Sequence, residues 1–278
     1  MSVRDQLFIG AMSVVPKNRL SRVVRRLASV RSGVAVRRFA ARYRLDLSEA
    51  EKPIESYLSV LDLFTRRLRP GIRPIDPEVG ALVSPVDGVL DACGTITAGR
   101  LLQAKGREYT LSALLASETE AARYEGGSYL TLYLSPRDYH RIHAPATGQV
   151  TRSTYVPGTL YPVNPAAVAQ VDGLFARNER LITHLETERF GPIALVMVGA
   201  TCVGHIKVVY DAAIGTNTGG AEIVRRDYLP PRTLERGDEL GVFEMGSTVV
   251  LIVQKGVEIV SLPPGSPVRL GNRLGLAR

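Results

Sequence analysis

The sequence predicts an α+β protein: a mostly antiparallel β sandwich or barrel-like core carrying an N-terminal amphipathic helical arm. Three observations lead there. The first 65 residues are basic and show apolar spacing of helical period. From about residue 66 short strand-like runs alternate with Gly and Pro turns. Regular alternation of strands with crossover helices is missing, which argues against a doubly wound parallel sheet. The expected division is therefore an arm over 1–65 and a β-rich domain over 66–278.

The arm owes its character to charge as much as to spacing. Between residues 6 and 45 lie ten basic residues and no acid, while the whole chain has a formal charge of +8 and the remainder therefore −2. Leu20, Val23, Val24, Leu27 and Val30 share one helical face, with Arg19, Arg22, Arg25 and Arg26 on the other. After Arg31 and Gly33 the stripe restarts with Val36, Phe39, Ala40 and Tyr43. No apolar run approaches the roughly 18 residues of a spanning helix. Such a helix suits the membrane interface, its arginines at anionic headgroups, each worth about 1 kcal/mol. An Arg-rich targeting peptide or a solvated face packed on its own domain has the same composition. No recognition motif accompanies the basic run, so nucleic acid is not an expected partner.

In the β region, Leu130, Leu132 and Leu134 alternate with Thr131 and Tyr133. Longer apolar runs follow at Ile193 to Val198, Cys202 to Val209 and Thr248 to Val253. One helix is expected over Leu111 to Tyr124, with Thr110 as its N-cap. An apolar fraction of 45% over 278 residues is enough for a sizeable core. The two cysteines, Cys93 and Cys202, lie in apolar surroundings and read as buried thiols of a reducing compartment.

Three short segments bear residues capable of chemistry. His140 and His143 stand three apart in Tyr139-His140-Arg141-Ile142-His143-Ala144-Pro145, just past the alternating strand. As a zinc site the pair lacks a third protein ligand, and no metal is expected. Asp87 sits in Ser84-Pro85-Val86-Asp87-Gly88, where Asp-Gly is ordinary turn chemistry or an orienting carboxylate for a distant histidine. Gly246-Ser247-Thr248 opens an apolar run and by itself reads as a bend. His184 and His205 lack comparable context and read as structural.

Taken together and in this order, the segments resemble phosphatidylserine decarboxylases of the bacterial and mitochondrial type. The likeness extends to Phe64-Thr65-Arg66-Arg67-Leu68, Arg73-Pro74-Ile75, Gln103-Ala104-Lys105-Gly106, the 174–180 stretch and Val198-Gly199-Ala200-Thr201, covering roughly residues 60 to 255. Met245 stands where the family commonly has Leu, a near volume-conserving change. The resemblance implies a proenzyme that cuts itself between Gly246 and Ser247, giving a large chain, 1–246, and a small chain, 247–278. Ser247 becomes a covalent pyruvoyl group, the only cofactor expected. His143, oriented by Asp87, takes the Ser247 hydroxyl proton. His140 serves decarboxylation, placing the carboxylate or supplying a proton afterwards. Phosphatidylserine and an anionic membrane surface are the implied partners, with a homodimer left open. The implied location is peripheral, on the cytoplasmic side of a bacterial inner membrane.

Two other readings stay open. Gly88-Val89-Leu90 and Gly148-Gln149-Val150 suit a β-rich group-carrier or binding domain, and the two histidines suit a metal hydrolase. Neither accounts for Gly246-Ser247-Thr248.

Overall fold

In a computed structural model, the structure describes residues 16–104, 107–201, 205–245 and 248–277. The arm consists of α1 (Lys17–Ala28), α2 (Gly33–Tyr43) and, beyond a short 3-10 turn, α3 (Val60–Phe64). Ser32 and Ser59 cap α2 and α3, each accepting a bond from the backbone N–H three residues on, at Ala35 and Asp62. The two apolar stripes meet different fates. Val36 and Ala40 of α2 are buried with Tyr57 and Leu63, whereas Val23, Leu27 and Val30 are 51%, 67% and 58% exposed. What α1 turns inward is Lys17, Ser21 and Ala28. Both helices therefore pack on their own domain, α2 through its apolar stripe and α1 through polar residues such as Asn18, Arg22 and Arg25, which leaves the α1 stripe exposed.

The chain continues through β1 (Ala81–Val83), β2 (Gly88–Thr95), β3 (Arg100–Ala104), β4 (Arg107–Thr110), α4 (Leu111–Leu115), α5 (Glu118–Ala122), β5 (Ser128–Tyr133), β6 (Arg141–His143) and β7 (Gly148–Val156). Then follow α6 (Pro165–Val168), α7 (Leu174–Arg177), β8 (Arg180–Thr187), β9 (Gly191–Val198), β10 (Ile206–Val208), β11 (Val224–Leu234), β12 (Glu239–Phe243), β13 (Thr248–Val253), β14 (Val257–Ile259), β15 (Pro267–Val268) and β16 (Arg273–Ala277). An open eight-stranded sheet runs β11-β7-β8-β9-β13-β5-β2-β15, every pairing antiparallel. Three smaller sheets accompany it: β1-β16-β14, β10-β12-β6 and the hairpin β3-β4. The fold is α+β and mainly antiparallel, as the sequence predicts, and the large sheet does not close into a barrel.

Both faces of the large sheet are covered, which explains its sequence. Val249, Leu251, Leu195 and Leu132 face a core shared with Ile142, Ile206, Leu240 and Phe243 of the small sheets. Val250, Ile252, Ala194 and Val196 face Leu111, Leu114, Leu174 and Phe175 of the helices. All six residues of β13 are buried, so a continuous apolar run replaces alternation. At roughly 1.5–3 kcal/mol per fully buried aliphatic side chain, these two layers are the main source of stability.

Two predicted elements come out differently. The helix expected over Leu111 to Tyr124 is two helices: Ala116 takes the left-handed conformation at φ 52°, and Ser117 caps a new helix by accepting from Glu120 N. The strand expected over Cys202 to Val209 is described only at β10, with Cys202, Val203 and Gly204 outside the described residues. Cys93 is a free, half-buried thiol.

Candidate active site

β6 positions both histidines by pairing antiparallel to β12. His143 lies opposite Glu239 and Arg141 opposite Val242, and Phe243 N donates to His140 O at 3.0 Å. The chain therefore leaves β12 beside His140, passes through Glu244 and Met245, and re-enters the large sheet at Thr248. Thr248 pairs with Tyr133 on one side and Val198 on the other. Gly246 and Ser247, the expected scissile pair, lie outside the described residues. Met245 just before them has φ 115°, a left-handed backbone unusual for a side chain that is not Gly.

His140 is fully buried, its ring 3.9 Å from that of Phe64 at the end of α3. Nδ1 lies 2.8 Å from Asp138 O, so Nδ1 carries the hydrogen and Nε2 keeps a lone pair. That Nε2 is buried and has no hydrogen-bond partner among the described residues. Burial first and the nearby Arg66 guanidinium second push its pKa down to about 3. Arg66, itself buried, donates through Nη2 to Arg137 O at 2.9 Å and Asp138 O at 3.2 Å. In return Arg141 Nε donates to Thr65 O at 3.0 Å. The arm's 64–66 segment thus clamps the strand that carries His140.

His143 is held by the core instead. Nδ1 donates to Gly237 O at 2.7 Å, and Nε2 accepts from the Tyr139 hydroxyl at 3.0 Å. Burial lowers its pKa below the ordinary imidazole value. Glu239 opposite is shared by Arg141 and, at 3.2 Å, Arg67.

Asp87 is near His143 without gripping it. The 84–88 turn accepts His143 N at Pro85 O, 2.9 Å. The Asp87 carboxylate, however, receives Arg73 Nε at 3.0 and 3.1 Å, Arg73 Nη2 at 2.6 Å and Leu270 N at 2.8 Å. The imidazole the sequence assigns to Asp87 is oriented by the Gly237 carbonyl, and the Asp87 charge acts on it through space. Arg73 also binds Glu49 at 2.6 Å, tying the turn to the segment after α2.

Of the four expected site residues, the structure gathers Asp87, His140 and His143 around β6, and Ser247 lies outside the described residues. His184 and His205 bond Thr154 and the Thr216 carbonyl respectively. No group of three side chains that could hold a metal ion lies among the described residues. Glu244 is a residue the sequence reading passed over. It is buried three positions before Ser247, beside Arg25 of α1 and 2.6 Å from Lys207. Although burial acts to raise its pKa, these two cations hold it below the usual carboxylate value. A lone Glu at the end of a strand gives no sequence signal of that role.

The arrangement sets two imidazoles, each with its hydrogen on Nδ1, on and beside β6, with His140 next to the end of β12. The sequence model of the family described as phosphatidylserine decarboxylase matches residues 60–276. The chain belongs to this family of carboxy-lyases. It is 50% identical to the phosphatidylserine decarboxylase proenzyme of Anaeromyxobacter sp. (strain K), covering 98% of this chain and 99% of that one. Proenzymes of the same description from Myxococcus xanthus (46%, 99% of each chain) and Brevibacillus brevis (46%, 90% and 89%) are similarly related.

Proposed function

We propose that the protein is a self-processing, pyruvoyl-dependent decarboxylase that converts phosphatidylserine to phosphatidylethanolamine and carbon dioxide at a membrane surface. The observation that carries this reading is the placement of a neutral imidazole, His140, beside the end of β12, from which the chain runs on to the expected scissile pair, with His143 further along the same strand. In cleavage, the Ser247 hydroxyl attacks the Gly246 carbonyl, and a base must take its proton. His143, with Nδ1 committed to Gly237 and Nε2 bearing the lone pair, has the protonation state of such a base. Tyr139 holds that lone pair until it is needed.

The residues beside the segment fit a pyruvoyl group at position 247. Thr248 Oγ1 and His140 Nε2 are both buried without partners among the described residues, leaving a hydroxyl to donate to a carbonyl of the group and an imidazole lone pair to accept a proton. Such a group supplies the electron sink that decarboxylation of an amino acid requires. With its Nδ1 hydrogen bound to Asp138 O, His140 offers only a lone pair, so its role is to take and return a proton and not to bind a carboxylate.

A second reading has one observation in its favour. The strand carries His143 about three residues, or about 10 Å, from His140, which is the histidine beside the exit of β12. In that reading His140 serves both steps and His143 with Asp87 holds the strand.

The arm supports a membrane-surface location. No helix among the described residues is long and apolar enough to span a bilayer. α1 instead presents Val23 and Leu27 outward between basic residues, and Val30 and Val34, after it in the chain, are exposed as well. We place the protein at the cytoplasmic face of a bacterial membrane.

The test uses carboxyl-labelled phosphatidylserine and purified protein without added pyridoxal phosphate. Labelled carbon dioxide should be released, and cyanoborohydride with an amine should stop it. Activity that depends on pyridoxal phosphate would overturn the cofactor assignment. Sedimentation with vesicles tests docking: binding should favour anionic lipid and weaken as salt shortens the screening length from about 10 Å at 0.1 M to about 3 Å at 1 M. Equal binding to neutral vesicles at both salts would remove the arm's electrostatic role.

A further inference from the structure

The segment that contains the expected scissile pair is anchored on both sides. β12 belongs to a small sheet and β13 to the large one, so the chain changes sheets between Phe243 and Thr248. On the near side, Phe243 N donates to His140 O at 3.0 Å and Glu244 N to His205 O at 2.9 Å. The Glu244 side chain adds a second grip. The residue is 7% exposed, with Lys207 Nζ of β10 2.6 Å from its Oε1 and Arg25 Nε of α1 on its Oε2. On the far side, Thr248 is 1% exposed and paired on both flanks, with Tyr133 and Val198. Between these anchors the sequence has Met245, Gly246 and Ser247.

Met245 carries the strain of that crossing. Four other non-glycine residues among the described ones have positive φ: Arg44, Ala98, Ala116 and Asn217, at 50° to 55°, in the left-handed well. Met245, at 115°, lies well outside that well, where a Cβ meets steric resistance. Such a conformation persists only where the surroundings over-determine it. Here they do so through the Glu244 anchor before it, the paired Thr248 after it, and the helix-side core layer against which the Met245 side chain packs. A buried carboxylate bonded to two cations from different elements is a strong hold on a single residue.

We infer that Glu244 is a positioning residue for self-cleavage, pinning the chain just before the scissile bond so that Met245 is held in a strained backbone state which the acyl shift relaxes. In that shift the Ser247 hydroxyl oxygen bonds to the Gly246 carbonyl carbon, the C–N bond breaks, and the hydroxyl proton ends on the freed Ser247 amine. The covalent path from the Gly246 carbonyl carbon to the Ser247 Cα grows from two bonds to three. The added bond gives slack to a segment tethered at both ends, so strain held in the peptide is released in the ester. Strain present in the precursor speeds the reaction by the part already released in the transition state.

The inference rests on the self-processing reading, and one experiment separates the two. Full-length precursor is made by cell-free synthesis, and its cleavage is followed on a gel over time. A wild type that is never cut would defeat the self-processing reading itself. With a wild type that is cut, Met245→Gly should mature about fivefold more slowly than Met245→Ala, because both lose the Met side chain and only glycine accepts positive φ freely. In the uncut Ser247→Ala background the same pair should differ the other way, Met245→Gly unfolding at higher urea than Met245→Ala. A merely structural role for the segment would have the more stable precursor cut at least as fast. Glu244→Gln should slow cleavage about tenfold, the scale of losing a charge-assisted hydrogen bond. Arg25→Gln/Lys207→Gln should slow it to a similar extent, and the triple variant no further, since all three remove one anchor. Met245→Gly cut as fast as Met245→Ala, or a folded Glu244→Gln cut at the wild-type rate, would overturn the inference. If Glu244→Gln does not fold, the Met245 pair decides alone.

Discussion

The two ends of the His140–His143 segment are held by different parts of the molecule. His140 is gripped from the arm, by the Phe64 ring and by Arg66 through the Asp138 carbonyl. His143 is gripped from the core, by Gly237 and Tyr139. Both keep the hydrogen on Nδ1, yet among the described residues the His143 Nε2 has a partner and the His140 Nε2 has none. A repeated residue type in one short motif therefore marks two environments, and the difference separates a poised group from one with its lone pair already occupied.

The largest expected effects come from removing either ring. His140→Ala should mature normally but lose about 10² to 10⁴ in turnover, while His143→Ala should remain mostly uncut. A gel reports cleavage and labelled carbon dioxide reports turnover. An uncut His140→Ala beside a normally matured His143→Ala would give both tasks to His140 and reverse the comparison.

Asp87→Asn should act on stability more than on either proton step. It leaves Arg73 against a neutral amide with Glu49 as its remaining carboxylate partner, so the loss should stay below the about 3–5 kcal/mol of a buried pair broken outright. Urea unfolding checks this. A variant as stable as the wild type but uncut would show that Asp87 works on His143 after all.

Acid should weaken the fold through the same rings. All four histidines have pKa values lowered by burial, to about 3 for His140 and about 4 for His184. The unfolded chain then binds more protons below about 6.5, so stability is full above that pH and falls as pH drops toward 4. The urea midpoint should decrease from pH 7 to pH 5, less steeply in His184→Asn. A flat profile would mean that the rings are charged in the folded state.

The smallest effect is expected at the arm's contact with the processing segment. Arg25→Gln should slow maturation less than tenfold, because Lys207 still neutralises Glu244. Maturation blocked in Arg25→Gln would make the arm part of the cleavage machinery.

The sequence revealed these regions unequally. The helical period of the arm and the two-sided burial of β13 show as apolar spacing, because each is set by neighbours close in the chain. It did not reveal which way each helix faces: α1 and α2 carry similar stripes, and only the presence of Tyr57 and Leu63 beside α2 decides that one turns inward. Motif order likewise placed Asp87, His140 and His143 together, yet their partners lie far along the chain. Arg73 is 14 residues from Asp87, and Gly237 is 94 from His143. A backbone carbonyl has no side-chain signature, so the group that orients His143 could not have been read from residue types.

Intact mass under denaturing conditions tests the central claim most directly. The purified wild type should give two chains, residues 1–246 and a 32-residue fragment beginning at position 247, the latter one ammonia lighter than a fragment starting with serine. Ser247→Ala should give one chain. An active wild type found as a single uncut chain, or a small fragment that still begins with serine, would contradict the account.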